Sequence, residues 1–188
     1  MVPYVIQQTE NGEKTYDIYS RLLKERIIFL NGEITNNVAN IVVAQLLHLQ
    51  AEDPNADITM YINSPGGSVM DGLAIYDTMN FISCDVSTIC VGCCASMASV
   101  ILSSGTKGKR YALKNSEILI HQASAGTSGT VADMTIDLQH VIKMNEKTKS
   151  ILAKNTGQSV EKISHDINRD YWLSSNEALQ YGVVDSII

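Results

Sequence analysis

Short apolar runs alternate with stretches of helical periodicity along most of this chain, and that alternation predicts an α/β fold with a mostly parallel sheet and crossover helices. Two further observations support it. Residues 86–106 carry no charge, as a buried strand, turn and helix would. Residues 131–154 keep a helical apolar pattern over about 36 Å at 1.5 Å per residue, long enough to project from so small a globule.

The elements follow in order. Residues 1–16 are polar and aperiodic from Gln7 to Lys14 and read as a mobile arm or hairpin. Ile27-Ile28-Phe29-Leu30 is a short strand closed by Asn31-Gly32. Residues 38–50 put Ile41, Val42, Leu46 and Leu49 at helical spacing, after the capping candidates Asn36 and Asn37. A strand over 58–62, a glycine turn, a helix over about 69–82, a strand over 86–91 and a helix starting near Ser96 come next. Residues 123–130 are rich in Gly, Ser, Thr and Ala and lead into the long helix, with Thr130 as its cap and Val131, Met134, Leu138 and Ile142 among its apolar positions. An apolar helix that projects needs a partner. Ser174-Ser175-Asn176-Glu177 reads as the capping box of a last short helix and Gly182 as its stop.

Bulk properties narrow the function. At 188 residues the chain is one domain by size. It is 45% hydrophobic and 18% charged, below the ~25% charge of an ordinary domain, which points to subunit contacts. A formal charge of -6 argues against nucleic acid or an anionic membrane as partner. The one tight basic cluster, Lys107, Lys109 and Arg110, reads as a solvated turn. Cys84, Cys90, Cys93 and Cys94 include a Cys-x-x-Cys spacing, but no second ligand pair follows it, so the thiols read as buried, reduced and cytoplasmic. Serines and glycines interrupt residues 86–106 too often for a membrane span, and no basic leader followed by an apolar core is visible.

The chemistry lies in two small-residue segments. Ser96 sits in Gly92-Cys93-Cys94-Ala95-Ser96-Met97-Ala98-Ser99 at the end of one apolar strand, and His121 closes another, Ile118-Leu119-Ile120-His121. A serine hydroxyl is a poor nucleophile at neutral pH, so it needs an imidazole to take its proton and a carboxylate to orient that imidazole. Asp170 is the candidate acid, with Asp77, Asp166 and Asp185 as rivals. The Gly66-Gly67 turn can aim backbone N–H groups at an oxyanion. The order Ser, His, Asp differs from chymotrypsin, subtilisin and the α/β-hydrolases, and the Gly-x-Ser-x-Gly elbow is absent. His48, His140 and His165 read as helix residues. Residues 105–110 fail the Walker pattern, so the chain itself is not expected to bind ATP. This chemistry calls for no metal and no cofactor.

Tyr61-Ile62-Asn63-Ser64-Pro65-Gly66-Gly67-Ser68, Ala95-Ser96-Met97, Ile120-His121-Gln122 and Arg169-Asp170 stand in the order and spacing of the Clp protease proteolytic subunit. The resemblance runs almost end to end, from Val2-Pro3 through Asp17-Ile18-Tyr19-Ser20-Arg21 to Tyr181-Gly182-Val183-Val184-Asp185. It implies a single domain with a spiral sheet, a head over 17–122 and 156–188, a strand-helix handle over 123–155 and an axial arm over 1–16. It implies Ser96 as nucleophile, His121 as general base, Asp170 as orienting acid, and the Gly67 and Met97 N–H groups as oxyanion hole. It also implies two stacked heptameric rings or mixed rings with a paralogous subunit, an AAA+ unfoldase ATPase docked near Tyr61 and Tyr111, unfolded polypeptide substrates, and Arg169 at the ring-to-ring contact. Cys93 and Ala98 stand where the family usually has Gln and Gly, Ala123 where it has Pro, Thr59 where it has Tyr, and Asn168 where many members have an acid. Those departures leave one alternative, a weakly active paralogue serving as ring partner; a crotonase-type acyl-CoA enzyme, which shares the spiral sheet and backbone oxyanion hole, is a reading from another class.

Overall fold

The computed structural model describes residues 2–9 and 12–188. Of the arm expected over 1–16, Met1, Glu10 and Asn11 lie outside those residues; the rest forms β1 (Tyr4–Thr9) and β2 (Gly12–Asp17), an antiparallel pair. Asp17 then caps α1 (Ile18–Leu23) by accepting the Ser20 N–H.

The head alternates strand and helix as periodicity predicts: β3 (Ile27–Asn31), α2 (Asn36–Glu52), β4 (Ile58–Ser64), α3 (Val69–Phe81), β5 (Val86–Ala95) and α4 (Met97–Ser103). The cap of α2 is Thr35, whose hydroxyl accepts the Val38 N–H, and not Asn36 or Asn37, which are the first two helical residues. An N-cap needs extended backbone, and Thr35 is the residue at φ -106°. Arg26, held at φ 62°, donates its guanidinium to the carbonyls of Leu49, Asp53, Ala56 and Asp57 and so terminates that helix.

Next come β6 (Arg110–Ala112), β7 (Glu117–Ile120), α5 (Val131–Thr156), α6 (Val160–Asp166), β8 (Tyr171–Ser174), α7 (Ser175–Tyr181) and β9 (Ser186–Ile187). Seven strands form one sheet in the order β3-β4-β5-β6-β9, with β7 also on β5 and β8 on β7; only the β7–β8 pair is antiparallel. Strand β5 is longer than the expected 86–91 because it changes partner. Thr88–Cys90 pair with β6, and after a bulge at Gly92 (φ 79°) Cys93–Ala95 pair with β7. Every residue of α4 is buried, which accounts for the uncharged run.

Two further expectations need correction. Residues 123–130 form no strand: they run beside α5, held by Ala123 N–H on Asn145 Oδ1 and Thr127 Oγ1 on Asp137 Oδ2. An extended segment without a second edge has no ladder to join. Arg110 is not in a solvated turn. It is 1% exposed, starts β6, and grips Asp185 through Nε and Nη2 while Nη1 reaches the carbonyls of Ser103 and Asn155. One guanidinium thus ties β6, the chain end, α4 and α5 together.

Burial raises the Asp185 carboxyl, and the bonds and charge of Arg110 more than offset this, holding it down at about 2. Removing one partner of such a buried pair leaves an uncompensated charge, so Asp185→Asn is expected to cost about 3 kcal/mol of stability at neutral pH by denaturant unfolding. The ion-pair contribution is complete above about pH 4, the range of an unfolded carboxylate, and is lost as pH falls through the folded value. The gap between the unfolding midpoints of the wild-type protein and the variant should therefore narrow from about pH 4 to pH 2.

Candidate active site

Parallel pairing sets the ends of β5 and β7 side by side. Ala95 pairs with Leu119, and the Ser96 N–H donates to the Leu119 carbonyl at 2.9 Å, so Ser96 and His121 leave the same edge of the sheet. Sites of parallel α/β sheets form at this carboxyl edge. Antiparallel pairing supplies the acid: Ile120 is opposite Tyr171, which places position 170 opposite 121. The Gln122 N–H on the Ile167 carbonyl (2.8 Å) and its Nε2 on the Asn168 carbonyl (3.1 Å) pin the two segments together.

Ser96 occupies the elbow between β5 and α4 at φ 56°, ψ -125°. Such a conformation costs a non-glycine residue on the order of 1–3 kcal/mol and persists only where surroundings enforce it. The 64–68 turn packs directly against this elbow. A Cβ on Gly66 (φ 92°) would stand 2.6 Å from the Ala95 carbonyl oxygen and 2.7 Å from Ser96 Cβ, so only glycine permits the approach. Ser64 Oγ accepts the Gly66 N–H, and Ile34 brackets Gly67 by donating to the Gly66 carbonyl and accepting the Ser68 N–H.

Bracketing of this kind turns the Gly67 N–H away from Ile34. The Met97 N–H is a first-turn helix donor without an intrahelical acceptor. Among the described residues neither amide has a protein acceptor, and both adjoin the contact of Gly66 with Ser96. Free amides beside a nucleophile can stabilise a developing oxyanion.

Ser96 and His121 line one small cleft of about 20 Å³ with no hydrogen bond between them among the described residues. His121 Nδ1 lies 3.6 Å from Asp170 Oδ1, an ion-pair distance longer than a hydrogen bond, and the Asp170 side chain is 67% exposed. The three groups are thus brought together but not locked. Of the rival acids, Asp185 is committed to Arg110, and Asp166 accepts Lys162 Nζ, His165 Nδ1 and the Tyr181 hydroxyl. Burial raises the Asp166 carboxyl, and these donors outweigh it to leave the group near 2. Cys93, the half-buried thiol near Ser96, has its pKa raised by burial first and then by Cys90 and Glu117, which favours the protonated thiol.

Tyr61 stacks on Phe29 at 5.6 Å, and the register Phe29, Tyr61, Ile89, Tyr111 runs as one row across four strands. Arg169 bonds only the neighbouring Asn168 carbonyl among the described residues and is exposed. The clamps at Ile34 and Ser64 were missed in the sequence. Ser-Pro-Gly carried a signal for Ser64, since a serine commonly accepts the N–H two residues on; nothing marked Ile34. No group of three or more metal-ligating side chains occurs among the described residues, and none of their helices is long and apolar enough to cross a membrane.

A strained serine at a strand–helix elbow, with an imidazole in its cleft and a carboxylate near that ring, brings together on a parallel α/β sheet the groups a serine peptidase would need. A family model described as Clp protease matches residues 10–188, and the chain belongs to that family. Its members are peptidases that generally form ring oligomers with AAA+ partners.

The glycine contact is testable by itself. Gly66→Ala should keep a cooperative thermal transition yet slow fluorophosphonate labelling of Ser96 by about 100-fold, the scale of a lost oxyanion donor.

Proposed function

We propose that the protein is the proteolytic subunit of an ATP-dependent protease, a serine endopeptidase that cuts unfolded polypeptides to short peptides inside a barrel of two stacked heptameric rings. The observation that carries this reading is the Ser96 elbow, strained against Gly66 at the edge where His121 and Asp170 converge. His121 takes the Ser96 Oγ proton as the oxygen attacks a peptide carbonyl, and the Gly67 and Met97 amides meet the resulting oxyanion, a contribution of about 2.7–4 kcal/mol per donor. His121 then gives the proton to the leaving amine, and water releases the acyl group by the reverse sequence. Asp170 orients the imidazole; closing its 3.6 Å gap to hydrogen-bond length requires the exposed 168–170 loop to settle.

The exposed apolar residues Val131, Ile136, Leu138 and Ile142 on α5 support ring-to-ring packing, with the exposed Arg169 within the loop that must settle. The aromatic row through Tyr61 and Tyr111 supports docking of an AAA+ unfoldase ATPase. The four free thiols fit a reducing cytoplasm. A crotonase-type enzyme has no use for a strained serine, so the elbow speaks against that reading.

Fluorophosphonate should modify Ser96 alone, and Ser96→Ala should abolish both labelling and casein hydrolysis. Asp170→Asn should lower kcat by about 10²–10⁴-fold with little change in KM. Labelling elsewhere, or hydrolysis that survives Ser96→Ala, would contradict the assignment. Native mass measurement should give fourteen subunits, and a stable monomer would contradict the barrel.

A further inference from the structure

We infer that Gln122 is a positioning residue: its side-chain amide holds the 168–170 loop so that Asp170 meets the His121 imidazole. This rests on the serine-peptidase reading above and adds to it a residue that acts through Asp170. Strands β7 and β8 pair regularly from Glu117 with Ser174 to Ile120 with Tyr171, a register that would set Gln122 opposite Arg169. The Gln122 N–H goes instead to the Ile167 carbonyl at 2.8 Å, so the ladder slips by two residues just where the acid stands. An excursion of this kind leaves the extra residues without ladder partners. Gln122 Nε2 supplies one, donating to the Asn168 carbonyl at 3.1 Å.

Other contacts of the loop do not substitute for this bond. The Asn168 N–H reaches back to the His165 carbonyl at 3.4 Å, and Arg169 Nη1 folds onto the same Asn168 carbonyl at 3.1 Å, so both bonds are local to that stretch of chain. Among the described side-chain hydrogen bonds, that of Gln122 is the one that links the loop to the strand end carrying His121. Packing does not hold the loop either. A depression of about 500 Å³ opens among His121, Gln122, Asn168, Arg169 and Asp170.

The histidine side of the pair is anchored separately. Ala123 donates its N–H to Asn145 Oδ1 on α5 at 3.0 Å, and the Gln122 bond to Ile167 is made by the main chain, so neither depends on the Gln122 side chain. Trimming that side chain therefore frees the acid's loop and leaves the strand end in place. One exposed hydrogen bond is a weak restraint, in keeping with the 3.6 Å that separates His121 Nδ1 from Asp170 Oδ1.

The test uses the full-length protein and a fluorogenic peptide, with active sites counted by fluorophosphonate titration. Gln122→Ala and Gln122→Glu should each lower kcat by about three- to tenfold with KM little changed, the range of one hydrogen bond. The Glu variant keeps the shape and loses the donor, so full activity in it would show that the side chain acts by bulk and overturn the inference. Placed on Asp170→Asn, Gln122→Ala should cost nothing further, because the group it positions is already disabled. An equal loss in both backgrounds marks a merely structural role and overturns the inference, as does an unchanged kcat in Gln122→Ala. In each of these outcomes the wild-type protein still labels and cuts, so the peptidase reading stands. If wild-type Ser96 takes no label and no peptide is cut, that reading falls and the positioning role with it.

Discussion

The contact of Gly66 with the β5–α4 elbow is the constraint on which the site depends. Ser96 adopts a backbone conformation that an L-residue avoids, and a turn lying within van der Waals contact of its carbonyl neighbour and its Cβ accompanies it. That turn is held from two sides, by the Ser64 hydroxyl within it and by Ile34 from the strand-like segment after β3. Next to the serine, the Gly67 and Met97 amides have no protein acceptor among the described residues. One steric fact thus connects the glycines, the strained serine and the two amides. The β4–β5 register, which shifts between Ile62 and Ser64, delivers both segments to the same level.

Sheet topology does the rest. Parallel pairing of β5 with β7 brings serine and histidine to one edge, and antiparallel return of β8 brings the aspartate to the histidine. Residues 96, 121 and 170 meet through two strand pairings, without any one loop spanning them. The looseness of the third pairing has a local cause. Asp170 stands just before β8 in an exposed loop whose ties are backbone carbonyls taken by Gln122, and among the described residues no hydrogen bond holds the carboxylate itself.

Strand and helix order was legible because periodicity reports burial, and buried faces dominate this fold. The Thr130 cap, the Ser174–Glu177 capping box and the left-handed Gly182 stop were legible because their chemistry is local. Ser96 and His121 stood out because small and polar residues ended apolar strands. What escaped was non-local. Residues 92–95 look like a turn but extend β5 once β7 is beside them, and Arg110 reads as a surface cation until Asp185, far along the chain, folds against it. Residues 123–130 lack a strand because a single chain offers no second edge. Thr35 and Asn36 are both competent caps, and backbone conformation decides between them.

The most direct measurement is a crystal structure of the protein after phosphonylation of Ser96. The phosphoryl oxygen should lie 2.7–3.1 Å from both the Gly67 and Met97 nitrogens, with Ser96 still at positive φ and His121 facing its Oγ. A phosphoryl oxygen turned to solvent, with those amides bonded elsewhere, would contradict the central claim that the Gly66 contact builds the oxyanion site.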